Sequence, residues 1–381
     1  MKSGWQTKQL GNLCDVLDHK RQPITKRDRV AGAYPYYGAT GVLGYVEGYL
    51  FDEKLVLVGE DGAKWGSGEN TAFAVEGKIW VNNHAHVLRP QRDKIIDNWL
   101  IYFLNHSDLS EFVSGLTVPK LNQGNLREIP IPLPPLPEQQ RIVGILDEAF
   151  EGIAIAKTNA EKNLQNARAL FESHLQSVFT RRGERWDNDQ LDALTEPDSP
   201  ITYGVVKPGD EGEIRFVRGG DLVRGKVRLD QLRTITRAVS EQYRRTLLRG
   251  GELLICLVGQ PGQVAVAPRE LSGANIARQV GLIRLKKCMN AEFVRYFLQS
   301  APGAEALGAR ESGSVQQVIN LGELRHLSVP HPKFGEQSEI VTKLSVVEAE
   351  TQRLKSIYER KLAALEALKK SLLHQAFSGE I

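Results

Sequence analysis

The chain of 381 residues carries 49 Lys and Arg against 46 Asp and Glu, so its formal net charge at pH 7 is only +3. Its 41% hydrophobic and 25% charged residues are typical of a folded protein of two or three domains, and they exclude a disordered chain. No segment reaches the 18 or more apolar residues of a membrane span and the first five residues lack a signal core, so we expect a cytoplasmic protein.

Residues 1–137 are predicted to form a strand-rich domain. Runs rich in β-branched residues lie at 42–46, 55–58 and 78–81, where Gly and Asn bound them. Residues 99–104 have the apolar spacing of a helix.

The first candidate contact segment of this domain is basic. Lys20, Arg21, Lys26 and Arg27 precede the run PYYGATG at residues 35–41. Cations followed by aromatics and glycines are typical of a loop that contacts phosphates and places aromatic rings against bases. The alternative is a glycine-rich turn whose tyrosines lie in the core.

The second candidate segment combines GEDG at residues 59–62 with NNHAH at residues 82–86. Two carboxylates near a histidine pair suggest a metal or acid–base site. However, His84 and His86 would share a strand face only with each other, and no third ligand is evident. Asparagine is a common reader of adenine, so Asn82, Asn83 and His84 are instead candidates to read bases.

A long helix is predicted after the run LPPLPEQQ at residues 133–140, because no proline occurs from 138 to 181 and Pro137 suits a first helical turn. Gly183 is the expected end of this helix. At ~1.5 Å per residue its length is about 65 Å. Its apolar residues form one narrow stripe, which favours packing against another long helix. The stripe consists of Ile142, Leu146, Ala149, Ile153, Ala156, Ala160, Leu164, Ala167, Phe171, Leu175 and Val178.

The partner helix is predicted in the same chain, because the pattern repeats without a gap at an offset of 198 residues. LNQGNLR at residues 121–127 matches INLGELR at residues 319–325, and Glu138 and Gln139 match Glu336 and Gln337. A repeat of this length indicates a duplicated domain rather than a solenoid.

Residues 182–335 repeat the plan of the first domain, but the two interiors differ. Basic residues outnumber acidic ones by 22 to 18 in this segment, and by ten to three from Arg215 to Arg249. A local basic patch favours an anionic partner such as DNA, and the alternative is a solvated surface.

Motifs for catalysis are not found in the sequence. It has no P-loop, no HExxH, no CxxC and no GxSxG, and its three cysteines are far apart. The chain therefore has the features of a recognition protein.

The order of variable domain, long helix, second variable domain and terminal helix resembles the DNA-specificity subunit of type I restriction–modification enzymes. The most specific motifs are PLPPLPEQQRIV at residues 132–143 and LLHQAF at residues 372–377. PYYGATG, GEDG, WVNNHAHV at residues 80–87 and VRGGDL at residues 217–222 resemble the recognition domains of that family. The second helix start, HPKFGE at residues 331–336, departs from the family pattern because it lacks the double proline.

The resemblance implies an α+β fold with two target-recognition domains, residues 1–137 and 182–335. Two long helices, residues 138–181 and 336–381, would form an antiparallel intramolecular coiled coil with pseudo-two-fold symmetry. Each domain would read one half of a split asymmetric site in double-stranded DNA, and the helices would set the spacer. Their outer faces would dock two modification subunits, which bind S-adenosylmethionine and methylate adenine. Restriction subunits, which use ATP and Mg, would join to cleave. This chain would hold no catalytic residue, cofactor or metal.

Within each domain we expect loops to contact DNA, although each residue could equally have a structural role. The candidate phosphate contacts are Lys20, Arg21, Lys26, Arg27, Arg218, Arg224, Arg244 and Arg245. The candidate base contacts are Tyr36, Thr40, Asn82, His84, Thr117, Lys120, Arg278, Ser314 and Gln316.

Two other functions remain open from the sequence. One is a coiled-coil scaffold with two protein-binding heads and no DNA binding. The other is an enzyme built around Glu60, Asp61, His84 and His86. Within the family, a system that methylates without cutting, or one whose partner fuses cleavage and methylation, fits the sequence equally well.

Overall fold

The computed structural model describes residues 4–115, 117–181, 186–308 and 318–381. It divides into two compact units, the first comprising Met1–Glu161 and Glu359–Ile381 and the second Lys162–Tyr358. Each unit therefore holds one strand-rich domain and part of each long helix, whereas the sequence analysis divided the chain into two domains and two helices. Among the described residues, no helix is both long and apolar enough to cross a membrane.

The first unit contains the following elements before the first long helix. The strands are β1 (Gln6–Gln9), β2 (Cys14–Val16), β3 (Tyr34–Gly38), β4 (Gly41–Val46), β5 (Phe51–Asp52), β6 (Leu55–Gly59), β7 (Ala72–Val75), β8 (Lys78–Val81), β9 (Ala85–Pro90) and β10 (Pro130–Leu133). The helices are α1 (Asp97–His106) and α2 (Gln123–Glu128), with 3-10 turns at Leu10–Asn12, Asp18–Lys20 and Ser110–Phe112. The strands predicted at 42–46, 55–58 and 78–81 and the helix predicted at 99–104 are confirmed.

Two four-stranded sheets form the body of this unit. One has the antiparallel order β2-β9-β6-β7, and the other has the order β4-β3-β8-β5 with a parallel β3–β8 pair. Every residue of β6 is buried, because this strand of Leu and Val lies between two neighbours within its sheet. A separate pair, β1–β10, joins the start of the domain to the residues just before the first long helix.

The second unit contains a corresponding set. The strands are β11 (Asp187–Gln190), β12 (Thr202–Tyr203), β13 (Ile214–Val217), β14 (Leu222–Val223), β15 (Lys226–Val227), β16 (Arg233–Ile235), β17 (Leu253–Cys256), β18 (Val264–Val266), β19 (Asn275–Ile276), β20 (Val280–Ile283) and β21 (Ser328–His331). The short helices are α4 (Arg237–Gln242), α5 (Ala291–Gln299), α6 (Ala301–Ala306) and α7 (Leu321–His326), and the 3-10 turns are Leu191–Leu194, Gly219–Asp221, Arg244–Thr246 and Arg269–Leu271.

The strand topology of the second unit repeats that of the first. The antiparallel sheet β12-β20-β17-β18 corresponds to β2-β9-β6-β7, and the parallel pair β13–β19 corresponds to β3–β8. The pair β11–β21 again joins the start of the domain to the residues before the long helix. The duplication predicted from the 198-residue offset is therefore present in the fold.

The two long helices, numbered here α3 (Leu136–Thr180) and α8 (Phe334–Ser378), contain 45 residues each. α3 begins two residues before the predicted position, and the predicted stop at Gly183 lies outside the described residues. In the first unit, Lys157 and Glu366 form an ion pair at 2.7 Å, and the Lys369 ammonium lies 5.2 Å from the Phe150 ring centroid. Phe150, the earlier of the two α3 residues, contacts Lys369, which is the later of the two α8 residues. These segments of the two helices therefore run antiparallel.

The second unit contains the end of α3 and the beginning of α8. Leu175 and Phe179 of α3 share one hydrophobic core with Leu344 of α8. This pairing of a late α3 segment with an early α8 segment is antiparallel as well.

A buried glutamine near the start of each long helix docks the helix against its domain. Gln139 accepts a hydrogen bond from the Ile96 amide at 3.0 Å and donates to the carbonyls of Lys94 and Pro134 at 3.0 and 2.9 Å. Gln337 repeats this pattern: its Oε1 accepts from the Asn290 amide at 2.8 Å, and its Nε2 donates to carbonyl oxygens. The repeated Glu-Gln pair in the sequence therefore has a structural reason.

Candidate nucleic-acid interface

Four segments of the first domain converge on one edge, which we call the first loop edge: residues 39–43, 59–63, 82–86 and 117–121. The Asn82 amide donates to the Tyr37 carbonyl at 3.0 Å, and the Glu60 amide donates to the His84 carbonyl at 2.9 Å. Asp61 forms an isolated β-bridge with Lys120. Backbone contacts thus hold the candidate residues of the GEDG and NNHAH motifs side by side.

A buried ionic cluster lies beneath this edge. Arg21 pairs with the Glu60 carboxylate, lies 3.4 Å from the Asp18 carboxylate and donates to the Ala85 carbonyl at 2.9 Å. Lys120 pairs with the second Glu60 oxygen at 2.8 Å. Arg21 and Lys120 therefore both neutralise buried acids, and in this arrangement they position the loops of the first loop edge.

His86 completes the cluster and is fully buried. Its Nδ1 lies 2.6 Å from the Asp18 carboxylate and its Nε2 lies 2.7 Å from the Leu121 carbonyl. The two ring nitrogens therefore both lie within hydrogen-bonding distance of an oxygen atom. His86 thus links the turn at Asp18 to the segment that carries Lys120.

The two buried carboxyls of the cluster are held in their ionised form. Burial by itself raises the pKa of Asp18, but the hydrogen bond and charge of His86, the Val87 amide and the charge of Arg21 together lower that pKa below its ordinary value. For Glu60, burial likewise raises the pKa, but hydrogen bonds from Lys120 and Arg21 together with the charges of His86 and Arg21 bring that pKa below its ordinary value. The cluster therefore ties two ionised carboxylates to Arg21, Lys120 and His86.

Within the described part of the chain, Asp18, Glu60 and His86 are the group of three side chains whose donor atoms lie close enough to hold a metal ion. Arg21 and Lys120 already occupy the Glu60 oxygens, and His86 already faces Asp18 and Leu121. A divalent cation would have to displace these partners and lie beside two positive side chains. The geometry favours an ion-pair network over a metal centre.

An exposed pair lies above the buried cluster. The His84 Nδ1 is hydrogen-bonded to the Asp61 carboxylate, with half of the His84 side chain and about a fifth of the Asp61 side chain exposed. The His84 amide also donates to the Asn82 side chain at 2.8 Å. The four acid and histidine residues considered as an enzyme site thus separate into a buried pair and an exposed pair.

Tyr36 anchors the basic loop rather than lying open to a ligand. It is 1% exposed, its hydroxyl accepts a hydrogen bond from the Ile24 amide at 3.0 Å, and the Arg29 guanidinium lies 4.4 Å from its ring centroid. Tyr36 therefore lies in the core, as in the alternative of a glycine-rich turn with core tyrosines. Lys26 and Arg27, which follow the Ile24 backbone that Tyr36 binds, are exposed.

The remaining candidates of the first domain differ in exposure. Asn82 is 3% exposed and its side-chain oxygen already accepts from His84, so it supports the loop. Lys20, Thr40 and Thr117 are exposed.

In the second domain, Arg218 and Asp221 form a reciprocal cap of a 3-10 turn. The Arg218 guanidinium lies 3.0 Å from the Asp221 carboxylate, which raises the pKa of Arg218. Arg244, Arg245 and Arg278 are exposed, although the Arg245 carbonyl accepts from the buried Arg284 at 3.0 Å. Ser314 and Gln316 lie outside the described residues.

Arg224 lies in a two-residue turn between β14 and β15, with positive φ at both Arg224 and Gly225. Gly225 has a φ of +81°, and a Cβ there would lie 2.3 Å from the Arg295 guanidinium, so a side chain at this position would be strained. Arg224 lines a cleft of about 770 Å³ together with Glu348 of α8. This candidate therefore lies beside the long helix of its unit.

The second domain has a loop edge at the equivalent place, but with different chemistry. Val258 forms the β-bridge to Val318 that corresponds, at an offset near 198, to the bridge between Asp61 and Lys120. The Leu257 amide donates to the Gln279 carbonyl at 2.7 Å. At these positions the first loop edge has charged side chains, whereas the second has apolar side chains and a side-chain amide.

Asp18 and the contact between Asp61 and His84 were not predicted from the sequence. Asp18 lies only three residues before Arg21 but meets His86 across 68 positions, and no spacing rule connects them. The signal that could have been used is the repeat itself, because charged residues stand in the first copy where the second has apolar or neutral ones.

A family model described as a type I restriction modification DNA specificity domain matches residues 2–165 and again residues 201–361. A putative type I restriction enzyme specificity subunit of Haemophilus influenzae is 27% identical over 361 residues, which cover 91% of this chain and 88% of that protein. The specificity subunit of the type I restriction enzyme EcoBI of Escherichia coli is 27% identical over 362 residues, 88% of this chain and 75% of that protein.

Solved structures share the fold. A chain from a study of complex assembly and conformational transition in the type I R–M system matches with a TM-score of 0.69 at 17% identity, over 100% of this chain and 99% of that chain. The HsdS subunit of Thermoanaerobacter tengcongensis matches with a TM-score of 0.57 at 18% identity, over 100% of this chain and 98% of that chain.

Proposed function

Because the chain belongs to the type I restriction–modification DNA specificity family, we propose that its two domains each read one half of a split, asymmetric site in double-stranded DNA. The observation that carries the proposal is the repeated fold with unlike loop edges. Both units have the same strand topology, whereas Asp61 and Lys120 in one correspond to Val258 and Val318 in the other. One scaffold with two different edges suits two different half-sites.

The basic side chains support the electrostatic part of this function. Lys20, Lys26 and Arg27 are exposed in the first domain, and Arg244, Arg245 and Arg278 are exposed in the second domain. Cations of this kind neutralise phosphates and fix register, whereas sequence discrimination comes from groups that reach base edges.

The long helices fit the roles of spacer and docking surface. Each contains 45 residues, and several large apolar side chains remain exposed along them. These are Ile145, Ile155 and Leu170 of α3 and Phe334, Val346 and Leu368 of α8. Exposed apolar residues on a long helix favour contact with further helices, which we assign to two modification subunits.

The chemistry of the complex belongs, in this proposal, to its partners. The modification subunits bind S-adenosylmethionine and methylate adenine, and restriction subunits that use ATP and Mg cleave. This chain contributes recognition without catalysis and binds no cofactor. The complex works in the cytoplasm, where its DNA substrate lies.

Mapping methylated adenines tests the proposal. The chain is co-expressed with its modification subunit in a host without other adenine methylation, and the genome is read by single-molecule sequencing. We expect one bipartite motif with an unspecified spacer and a modified adenine on each strand. An assembled, soluble complex that adds no methylation would favour the scaffold function instead.

A further inference from the structure

We propose that Asp61, held by His84, is a specificity-determining residue that accepts a hydrogen bond from the exocyclic amino group of an adenine or cytosine in the first half-site. This inference rests on the proposed function, because it requires the first loop edge to face DNA. Asp61 belongs to the GEDG motif at residues 59–62, but it is not among the candidate DNA contacts named from the sequence.

The position of Asp61 is fixed from several sides. Its backbone is bridged to Lys120, the preceding Glu60 is tied into the buried cluster, and the following Gly62 has a φ of +68°. Its carboxylate accepts a hydrogen bond from the His84 Nδ1–H. A side chain held this firmly loses little conformational entropy when a ligand arrives.

The pair presents free hydrogen-bonding capacity to solvent. One Asp61 oxygen and the His84 Nε2 have no hydrogen-bond partner among the residues that the structure describes, and both side chains are partly exposed. The carboxylate only accepts hydrogen bonds. It therefore suits the amino groups of adenine N6 and cytosine N4, and it repels the keto oxygens of guanine and thymine.

An acidic side chain at a DNA-binding surface requires this kind of explanation. A carboxylate among phosphate-binding cations weakens binding to every DNA sequence, because it repels the backbone. Lys20, Lys26 and Arg27 of the same domain are exposed, and such cations suit a polyanionic ligand. A base amino group that donates to Asp61 offsets the repulsion only at the correct sequence. The carboxylate therefore lowers the affinity for other sequences relative to the correct one.

The experiment uses the full chain assembled with its modification subunit. Methylation motifs and binding to a randomised duplex library are compared for the native chain, Asp61→Asn and Asp61→Ala. The matched control is Asp52→Asn. Asp52 is an exposed aspartate of the same domain, and it lies opposite Lys78 in the β5–β8 strand pair, at the other end of β8 from Asn82. Asn retains the shape of Asp and can also donate to keto oxygens.

We expect Asp61→Asn to relax one position of the first half-site, so that a preference for amino over keto bases of about tenfold or more falls to roughly twofold. The second half-site and the spacer should not change, and Asp52→Asn should leave the whole motif unchanged. An identical motif for native chain and Asp61→Asn would overturn the proposal, as would equal weakening on all sequences, which would show a loop-bracing role only.

A measurement on the native chain keeps the test independent of variant folding. At the assigned position, hypoxanthine replaces adenine, or uracil replaces cytosine, so that a keto group stands where the amino group was. The affinity of the native complex should fall by about tenfold, and an unchanged affinity would refute the inference. If the native complex recognises no bipartite motif at all, it is the proposed function that fails.

Discussion

Replacing Gln139 by alanine is expected to destabilise the first unit far more than the same change at an exposed helix position would. Gln139 is 0% exposed and makes three hydrogen bonds to backbone groups of the domain and of the segment before α3. Alanine leaves the Ile96 amide and the Lys94 and Pro134 carbonyls without these partners.

The size of the effect follows from these three contacts. A buried polar group that loses its partner costs about 1–3 kcal/mol, and the amide is the least able to find a substitute. Water can reach the half-buried carbonyl of Lys94 and recover part of its loss. Alanine has a slightly better helix propensity than glutamine, and this difference restores only a few tenths of a kcal/mol of the free energy of unfolding. We therefore expect a net loss of about 3 kcal/mol.

The matched control is Gln140→Ala, because Gln140 is the same residue type at the next position and is exposed. Its effect should stay within about 0.5 kcal/mol. Both variants are measured by urea denaturation followed by tryptophan fluorescence, with Trp99 in the affected core as the reporter. If Gln139→Ala shifts the unfolding free energy no more than Gln140→Ala does, the docking role assigned to Gln139 is wrong.

Three further outcomes follow from the charges. The folded state lowers the pKa of Asp18, so its stabilisation is present above the ordinary aspartate value of about 4 and is lost as pH falls through the lowered value. Asp18→Asn should therefore destabilise at pH 7, and a difference from the native protein that persisted undiminished to pH 2 would contradict this. Glu348→Gln, which removes the 3.0 Å pair with buried Arg295, should cost roughly 2–4 kcal/mol in the same urea assay, whereas the exposed control Glu350→Gln should cost less than about 0.5. Arg27→Ala should weaken DNA binding on all sequences and reduce the slope of log K against log salt by about one, and a sequence-dependent loss would show base contact instead.

The long helices and the duplication could be predicted because local chemistry determines them. Proline placement, apolar spacing and the absence of prolines between 138 and 181 predict α3 almost to its ends. The offset of 198 residues predicts the second copy, and the recurrence of Gln139 as Gln337 has a packing reason that the sequence does not display.

The candidate site was less accessible from sequence, because it depends on contacts between distant segments. Lys and Arg were assigned to phosphates by charge alone, but Arg21 lies in a buried ion network whereas Arg27 has a side chain that is 95% exposed. Tyr36 and Asn82 have the residue types of base contacts, yet both are buried supports. Residue type indicates what a side chain can do, and only the fold determines whether a ligand can reach it.

Exchange of a single domain tests the central claim most directly. Residues 1–137 are replaced by the corresponding segment of a related specificity subunit with a known motif, and the junction is kept at the start of α3. Methylated adenines are then mapped with the modification subunit present. If each domain reads one half-site, only one half of the motif changes, and the other half and the spacer stay as in the native chain. A change in both halves, or in neither, from an active complex would contradict the account.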